Sequence, residues 1–432
     1  MAFIVADKSR ADAISYAEFV AMIALLMALN AAAIDVYIPA LADIGTALGV
    51  AEENRRQIII TAYVVGFGAA QIVYGPLSDR FGRRRVLFAG LAIYIAGSIA
   101  AVFAGSFEAL LAWRFVQGVG AAATRVVATS VVRDRFKGAE MASVMSLVMM
   151  VFMVMPVFAP NLGALVLLVG NWRELSAVMT VFGLVALVWS WARLPETLAP
   201  ERRRPLTGAK LVEAFGIVVT DRIAAFYTLA MASFFGVLFA FIAQSEQVFT
   251  QVFGLGKGFT LYFSLIAVFM AGSSFANSRL VRRIGTHRIS QGALCAFIAL
   301  SALHLGLALA MGGATPFPLF LVLFILTMCC FGFVPTNFNA LAMEPLGHVA
   351  GTGSAVLGAA QTMLGGLLGA GVGLLYDGTI VPLLAGFTGL ATLSLVLVAV
   401  AERGRMFPPP REQPPRAVAA GAARVDKAGG RG

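Results

Sequence analysis

The sequence predicts an all-α membrane protein of twelve transmembrane helices, built as two six-helix halves. Three observations predict it. The 432 residues are 59% hydrophobic and 12% charged, with a mean hydropathy of +0.87, where a soluble domain carries about 25% charged residues. Uninterrupted apolar stretches long enough to cross a bilayer, about 18 residues or more, recur along the chain. The basic residues collect in the short links between those stretches.

In order, the spans fall at 19–40, 57–75, 86–105, 108–131, 142–168 and 174–193, then at 223–248, 259–278, 290–311, 316–341, 352–376 and 380–401. The longest hydrophilic interruption, 195–222, divides them. It gives an N-terminal half over 1–194, a cytoplasmic linker over 195–222 and a C-terminal half over 223–401. The tail, 402–432, is rich in Pro, Gly, Ala and Arg and is expected to be disordered. Residues 19–33 resemble the apolar core of a cleaved leader. Charges of both signs precede them, however, and apolar character resumes through Ile38, so a retained first helix is expected.

Orientation follows from the basic residues. Of the 32 Lys and Arg, four (Arg55, Arg56, Arg173, Lys257) fall on one side of this map and two (Arg114, Arg125) within spans; the other 26 fall on the opposite side. Short basic loops stay in the cytoplasm, so both termini are expected inside. The net charge of +10 and pI near 9.9 therefore report membrane orientation and exclude a nucleic-acid partner. Cys295, Cys329 and Cys330 lie in apolar runs without metal-ligand spacing, and His287, His304 and His348 are scattered. No metal or cofactor is expected. No phosphate-binding loop of the form G-x-x-x-x-G-K-[ST] is present, which excludes primary pumping by this chain alone.

Between spans two and three the chain reads GPLSDRFGRRR, with Gly75, Asp79, Arg80, Gly82, Arg83 and Arg84. The two glycines are expected to let the backbone turn sharply. Asp79 has an Arg or a helix end within reach as partner. Aligning Gly82 with Gly285 pairs Arg80 with Arg283 and Arg85 with Arg288, so VRRIGTHR follows span eight as DRFGRRR follows span two. The second copy has Arg282 at the position of Asp79. Such a repeat places a substrate site between the halves, near the midplane.

Span one carries Asp35, followed by Tyr37 and Pro39. A carboxylate inside a span is costly and functional by default. Burial disfavours its charged form and a nearby cation favours it, so a balanced group can take and release protons. Pro39 is expected to kink or end the helix. In span four, Arg114 and Arg125 are eleven residues apart, three turns plus about 20°, so they share one face with Arg125 about 16 Å deeper. That face is expected to line a wet cavity, with Gln117 beside Arg114; the alternative is that the arginines hold helices together. If Asp35 pairs with Arg114, Arg125 is the uncompensated charge. The solute is then expected to be neutral, zwitterionic or acidic rather than a permanent cation. Span five holds Pro156, Pro160 and Gly163, readable as a kinked packing helix. Gly365, Gly369 and Gly373 form a small-residue seam in span eleven. Gln244, Asn337, Asn339 and Gln361 complete the cavity candidates, with Phe241 beside Gln244.

The loop after span two resembles the signature loop of the major facilitator superfamily, G-x-x-x-D-R-x-G-R-[KR]. The segment RFVQGVGAA resembles that family's span-four motif, implicated there in proton transfer. Pro156, Pro160 and Gly163 resemble part of its antiporter motif, with Ala159 in place of a glycine. AIDVYIPAL, VVRDRF and FVPTNFNALAMEP are similar to the bicyclomycin-resistance (Bcr/CflA) branch of drug:proton antiporters. The resemblance implies alternating access in a bacterial inner membrane, a protein functional as a monomer, and export of small amphipathic compounds in exchange for protons. Asp35 and Arg114 would carry the coupling, and the loop residues would act as a conformational latch. Two other readings stay open: a symporter or facilitator importing a metabolite, and a non-transporting receptor or scaffold.

Overall fold

The computed structural model describes residues 14–199, 201, 203 and 215–407. The leading residues with Lys8 and Arg10, most of the 195–222 connection with Arg202, Arg204 and Lys210, and the tail from residue 408 lie outside the described residues. Everything regular within them is helical. The long helices are α1 (Tyr16–Asp35), α2 (Ile58–Phe81), α3 (Arg83–Val102), α4 (Phe107–Arg135), α5 (Gly138–Val169) and α6 (Trp172–Arg193), then α7 (Arg222–Gln247), α8 (Phe259–Ile284), α9 (Thr286–Ala310), α10 (Phe317–Phe331), α11 (Ala350–Leu374) and α12 (Val381–Ala401). Eleven of these stretches are long and apolar enough to cross a membrane, and α5, with 32 residues, completes twelve.

The helices outrun the apolar runs that mark them. α2 continues through Gly75 and Pro76 to Phe81, and α8 continues to Ile284. Hydropathy detects only the hydrocarbon depth, while backbone hydrogen bonding continues into the polar interface. The expected turn at Gly75 is therefore corrected: Gly75 is helical and the turn falls on Gly82 alone. Gly82 has φ 98° and ψ 152°, and Gly285, between α8 and α9, has φ 90° and ψ 149°. These matched left-handed conformations, which only glycine adopts without strain, are the sequence repeat expressed in the backbone.

Two spans are interrupted. α1 stops at Asp35, passes through a 3₁₀ turn at Ile38–Ala40 containing Pro39, and resumes as a short helix, Leu41–Ala47. α10 stops at Phe331 and resumes at Pro335–Met343. Proline removes a helical donor and clashes with the preceding turn, which explains both positions. Irregular backbone at membrane depth is tolerated where it is buried in protein or lines a cavity.

Within each half, α2 and α3 pack on α4, while α7 packs on α11 and α12. The seam expected in span eleven faces α7: Gly365 lies against Phe235 and Ala232, and Gly369 against Phe239 and Ala240. Across the halves the main helix contacts are α2 with α11 and α5 with α8. Exchanging the halves turns one of these pairs into the other, as a pseudo-twofold relation requires.

Candidate functional site

A cavity of about 260 Å³ lies between the halves. α1 supplies Asn30, Ile34 and Asp35, α2 supplies Phe67, α4 supplies Arg125 and α5 supplies Pro156. The other wall is mostly hydrocarbon: Phe235, Phe239 and Phe241 from α7, Phe263 and Met270 from α8, and Phe331 at the α10 break. Gln361 and Thr362 of α11 add polar atoms there. Both interrupted helices thus border the cavity, α1 through Asp35 and α10 through Phe331, Gly332 and Pro335.

Asp35 and Arg125 are the two charged residues of the lining. Asp35 is 2% exposed, and its Oδ1 has no hydrogen-bond partner among the described residues. The Arg125 guanidinium makes no ion pair or hydrogen bond among the described residues; it sits 5.9 Å from the centre of the Phe67 ring. Arg125 is half-buried, and a cation held at membrane depth without an ion pair is costly, so a site that retains one has a use for it.

Arg114 behaves differently. It is fully buried, donates from Nη2 to the carbonyl of Ala33 at 2.8 Å and from Nη1 to Gln117 Oε1 at 2.5 Å. The rings of Tyr37 and Tyr63 cover it at 4.1 and 4.6 Å. Gln117 passes the chain on to Ser98 Oγ at 2.7 Å, and Tyr37 hydroxyl meets Ser176 Oγ. The expected tie between Asp35 and Arg114 is therefore absent, and Arg114, Gln117 and Tyr37 do not line the cavity. The reason is supply: a backbone carbonyl freed near the end of α1, an amide and two ring faces already satisfy the guanidinium. The shared face of Arg114 and Arg125 is real, since they lie over Tyr63 and Phe67, one turn apart on α2. Only the deeper arginine reaches the open space.

Three other candidates are also placed elsewhere. Gln244 donates to the carbonyl of Val372 at 2.7 Å, bonding α7 to α11. Asn337 donates to Asn277 Oδ1 at 2.8 Å, and Asn339 is exposed. A packed neighbour accepts from the Gln244 and Asn337 amides, although Gln244 Oε1 has no partner among the described residues, and the helix turns Asn339 outward. Gln361 and Phe241 do line the cavity. Of the span-five residues, Pro156 lines it, Pro160 is accommodated inside α5, and Gly163 packs against the carbonyl of Val36 and the ring of Pro39, at the break in α1. Sequence reasoning missed Asn30, which donates to Thr124 Oγ1 at 2.9 Å, and, apart from Phe241, the phenylalanine wall of Phe235, Phe239, Phe263 and Phe331. With 33 Phe in the chain, no signal singled these out.

Away from the cavity, Arg83 forms ion pairs with Asp79 at 2.5 Å and Asp134 at 2.9 Å. Glu196 accepts from the backbone N–H groups of Arg83 and Arg84 at the start of α3, at 2.9 and 3.2 Å. Arg84 Nη2 donates to the carbonyl of Trp191, and Arg80 lies over the Phe81 ring. At the opposite end the halves are bolted together. Gln57 Nε2 donates to Gln247 Oε1 at 2.8 Å and to the carbonyl of Gly373 at 3.0 Å; Asn54 Nδ2 donates to the carbonyl of Tyr376 at 2.7 Å. Asn161 to Ser264 and Gln71 to Thr362 bridge them further in.

Comparison with known proteins bears on the same architecture. The chain is 29% identical over 374 residues to a bicyclomycin resistance protein homolog of Haemophilus influenzae, covering 85% of this chain and 91% of that one. It is 31% identical over 274 residues to a chloramphenicol resistance protein of Pseudomonas aeruginosa, covering 62% and 64%. Among solved structures, a D-xylose-proton symporter superposes with a TM-score of 0.68 over 89% of this chain and 97% of that one, at 12% identity, a likeness of fold. The family model of the Major Facilitator Superfamily matches residues 23–370. With twelve helices in two repeated halves around a central cavity, this chain belongs to the Major Facilitator Superfamily and is a multi-pass membrane transporter, not an enzyme.

Proposed function

We propose that this transporter exports small amphipathic compounds in exchange for protons, by alternating access, across a bacterial inner membrane with both termini in the cytoplasm. The observation that carries the reading is Asp35, a buried carboxylate with an unpartnered oxygen, placed at a helix break in the wall of the central cavity. Such a group can hold a proton or accept a donor from a solute, and that competition is antiport. The names of the bicyclomycin and chloramphenicol resistance relatives support export of such compounds. The charge count puts the Gly82 and Gly285 loops in the cytoplasm, so the end bolted by Gln57, Asn54 and Gln247 is the outer one. The structure then corresponds to a state closed to the outside. In this mechanism Arg114 is a positioning residue: it holds the Ala33 carbonyl and so fixes the end of α1 that presents Asp35. The loop residues Gly75, Asp79, Arg80, Gly82, Arg83 and Arg84 bias the access equilibrium, and the protein works as a monomer.

The test uses everted membrane vesicles with an acid interior. Adding chloramphenicol is expected to discharge the pH gradient as the compound enters, and Asp35→Asn is expected to abolish this coupling while binding in detergent persists. Coupled uptake retained by Asp35→Asn rules Asp35 out as the proton site.

A further inference from the structure

The two walls of the cavity differ in kind. Both charged side chains come from the N-terminal half, Asp35 on α1 and Arg125 on α4, with Asn30 beside them. The facing wall from the C-terminal half presents Phe235, Phe239, Phe263 and Phe331. A solute that fills the space therefore has a polar edge and an aromatic or aliphatic face.

The polar edge is constrained further, on the reading that Asp35 exchanges a proton for solute. Competition with a proton requires the solute to offer Asp35 a donor or a positive charge; an anion there would favour the protonated acid and would travel with the proton instead. Arg125 sits in the same lining without an ion pair or hydrogen bond among the described residues, and its neighbour is the Phe67 ring. A solute that is only a cation satisfies Asp35 and is repelled by Arg125. A solute that is only an anion satisfies Arg125 and is repelled by ionised Asp35. We infer that the cavity selects dipolar aromatic solutes, zwitterionic or neutral, that place a donor group (ammonium, N–H or O–H) on Asp35, an acceptor group (carboxylate, nitro or carbonyl) on Arg125, and their ring against the phenylalanine wall. Arg125 is thereby assigned as a specificity-determining residue.

A series with one ring system separates the possibilities: naphthylalanine (zwitterion), naphthylethylamine (a cation with no acceptor), naphthylpropionate (an anion with no donor) and N-acetylnaphthylalanine methyl ester (a neutral dipole). Binding to purified protein in nanodiscs at neutral pH is measured by calorimetry. Wild type is expected to bind the zwitterion and the neutral dipole about tenfold or more tighter than the cation and the anion, a typical cost of like-charge juxtaposition. Arg125→Gln is expected to erase the preference over the cation, and Arg125→Lys to keep most of it. Asp35→Asn, which leaves Arg125 as the sole charge, is expected to make the anion the best ligand. The inference is overturned if wild type binds the cation best, if Arg125→Gln leaves the ranking unchanged, or if none of the four binds. The transport reading fails separately: vesicles that show no coupled uptake of a compound bound in the expected order refute antiport and leave the cavity assignment standing.

Discussion

Asp35 and Arg114 show what a residue's type reveals in a sequence and what it conceals. An ionisable side chain inside a span announces that something holds it, because the bilayer makes isolation expensive. It does not announce what. Arg114 is held by the Ala33 carbonyl, 81 residues away, and by two tyrosine rings, partners that carry no charge and leave no trace in a charge pattern. Arg125 does face the cavity, but the charge count that singles it out assumes a pair between Asp35 and Arg114 that is absent, so the placement was reached on a wrong premise. Asp79 is a residue whose contribution can be separated by size. Its carboxylate is 40% exposed and shares Arg83 with Asp134, and exposed ion pairs contribute about 0–1 kcal/mol. Asp79→Asn keeps a hydrogen-bond acceptor and leaves the Asp134 pair intact. Thermal unfolding in detergent is expected to change by only a few degrees, in line with about 1 kcal/mol or less, while the initial transport rate falls. An unchanged rate would make the loop a topology signal only.

Elements were more legible than their ends. Hydropathy located every span, yet it placed the end of the second near Tyr74 where the helix runs to Phe81, and it read the tenth as continuous where Gly332 to Val334 break it. Pro335 marks that break in the sequence, and a tertiary contact adds to it, since Gly332 lies against Ser273 and the backbone of Ser274 on α8. The same kind of contact explains the glycines of span four. A Cβ on Gly118 would meet the carbonyl oxygen of Tyr63 and, at 2.9 Å, the backbone nitrogen of Phe67. Backbone atoms cannot swing aside as side chains do, so α4 would have to move away from α2, carrying Arg125 from its place beside Phe67. Gly118→Ala is expected to destabilise the protein by about 1–3 kcal/mol, the usual cost of overpacking, and to weaken solute binding. Gly371 on α11 has nothing within 4 Å of a Cβ, so Gly371→Ala is the control and is expected to leave stability unchanged or raised. Parallel thermal unfolding and binding of the two variants checks this. Equal behaviour would show that the α2–α4 contact yields more easily than the geometry implies.

At the scale of the whole molecule, the two-half build was legible because a repeat of sequence became a repeat of backbone at Gly82 and Gly285. The state of the molecule was not legible, since it depends on which end of the halves is joined. That end is joined by neutral amides. Gln57 makes two bonds across the interface, to Gln247 and to the carbonyl of Gly373, and is 3% exposed. Each buried hydrogen bond contributes about 0.5–1.5 kcal/mol net. Opening this end hydrates all the partners, so the bonds weigh only on the closed state. Gln57→Leu, similar in size and unable to make either bond, removes about 1–3 kcal/mol from that state, and therefore shifts the access equilibrium toward outward opening by about 5- to 150-fold. Ala267, on α8 in the cavity wall, provides the readout: Ala267→Cys in a protein whose Cys295, Cys329 and Cys330 are replaced, labelled in whole cells with a membrane-impermeant maleimide. Gln57→Leu is expected to speed labelling from outside and to slow labelling from the cytoplasmic side in everted vesicles. Equal acceleration on both sides would indicate general loosening, and no change on either would mean that the amide network is packing and not the outer gate.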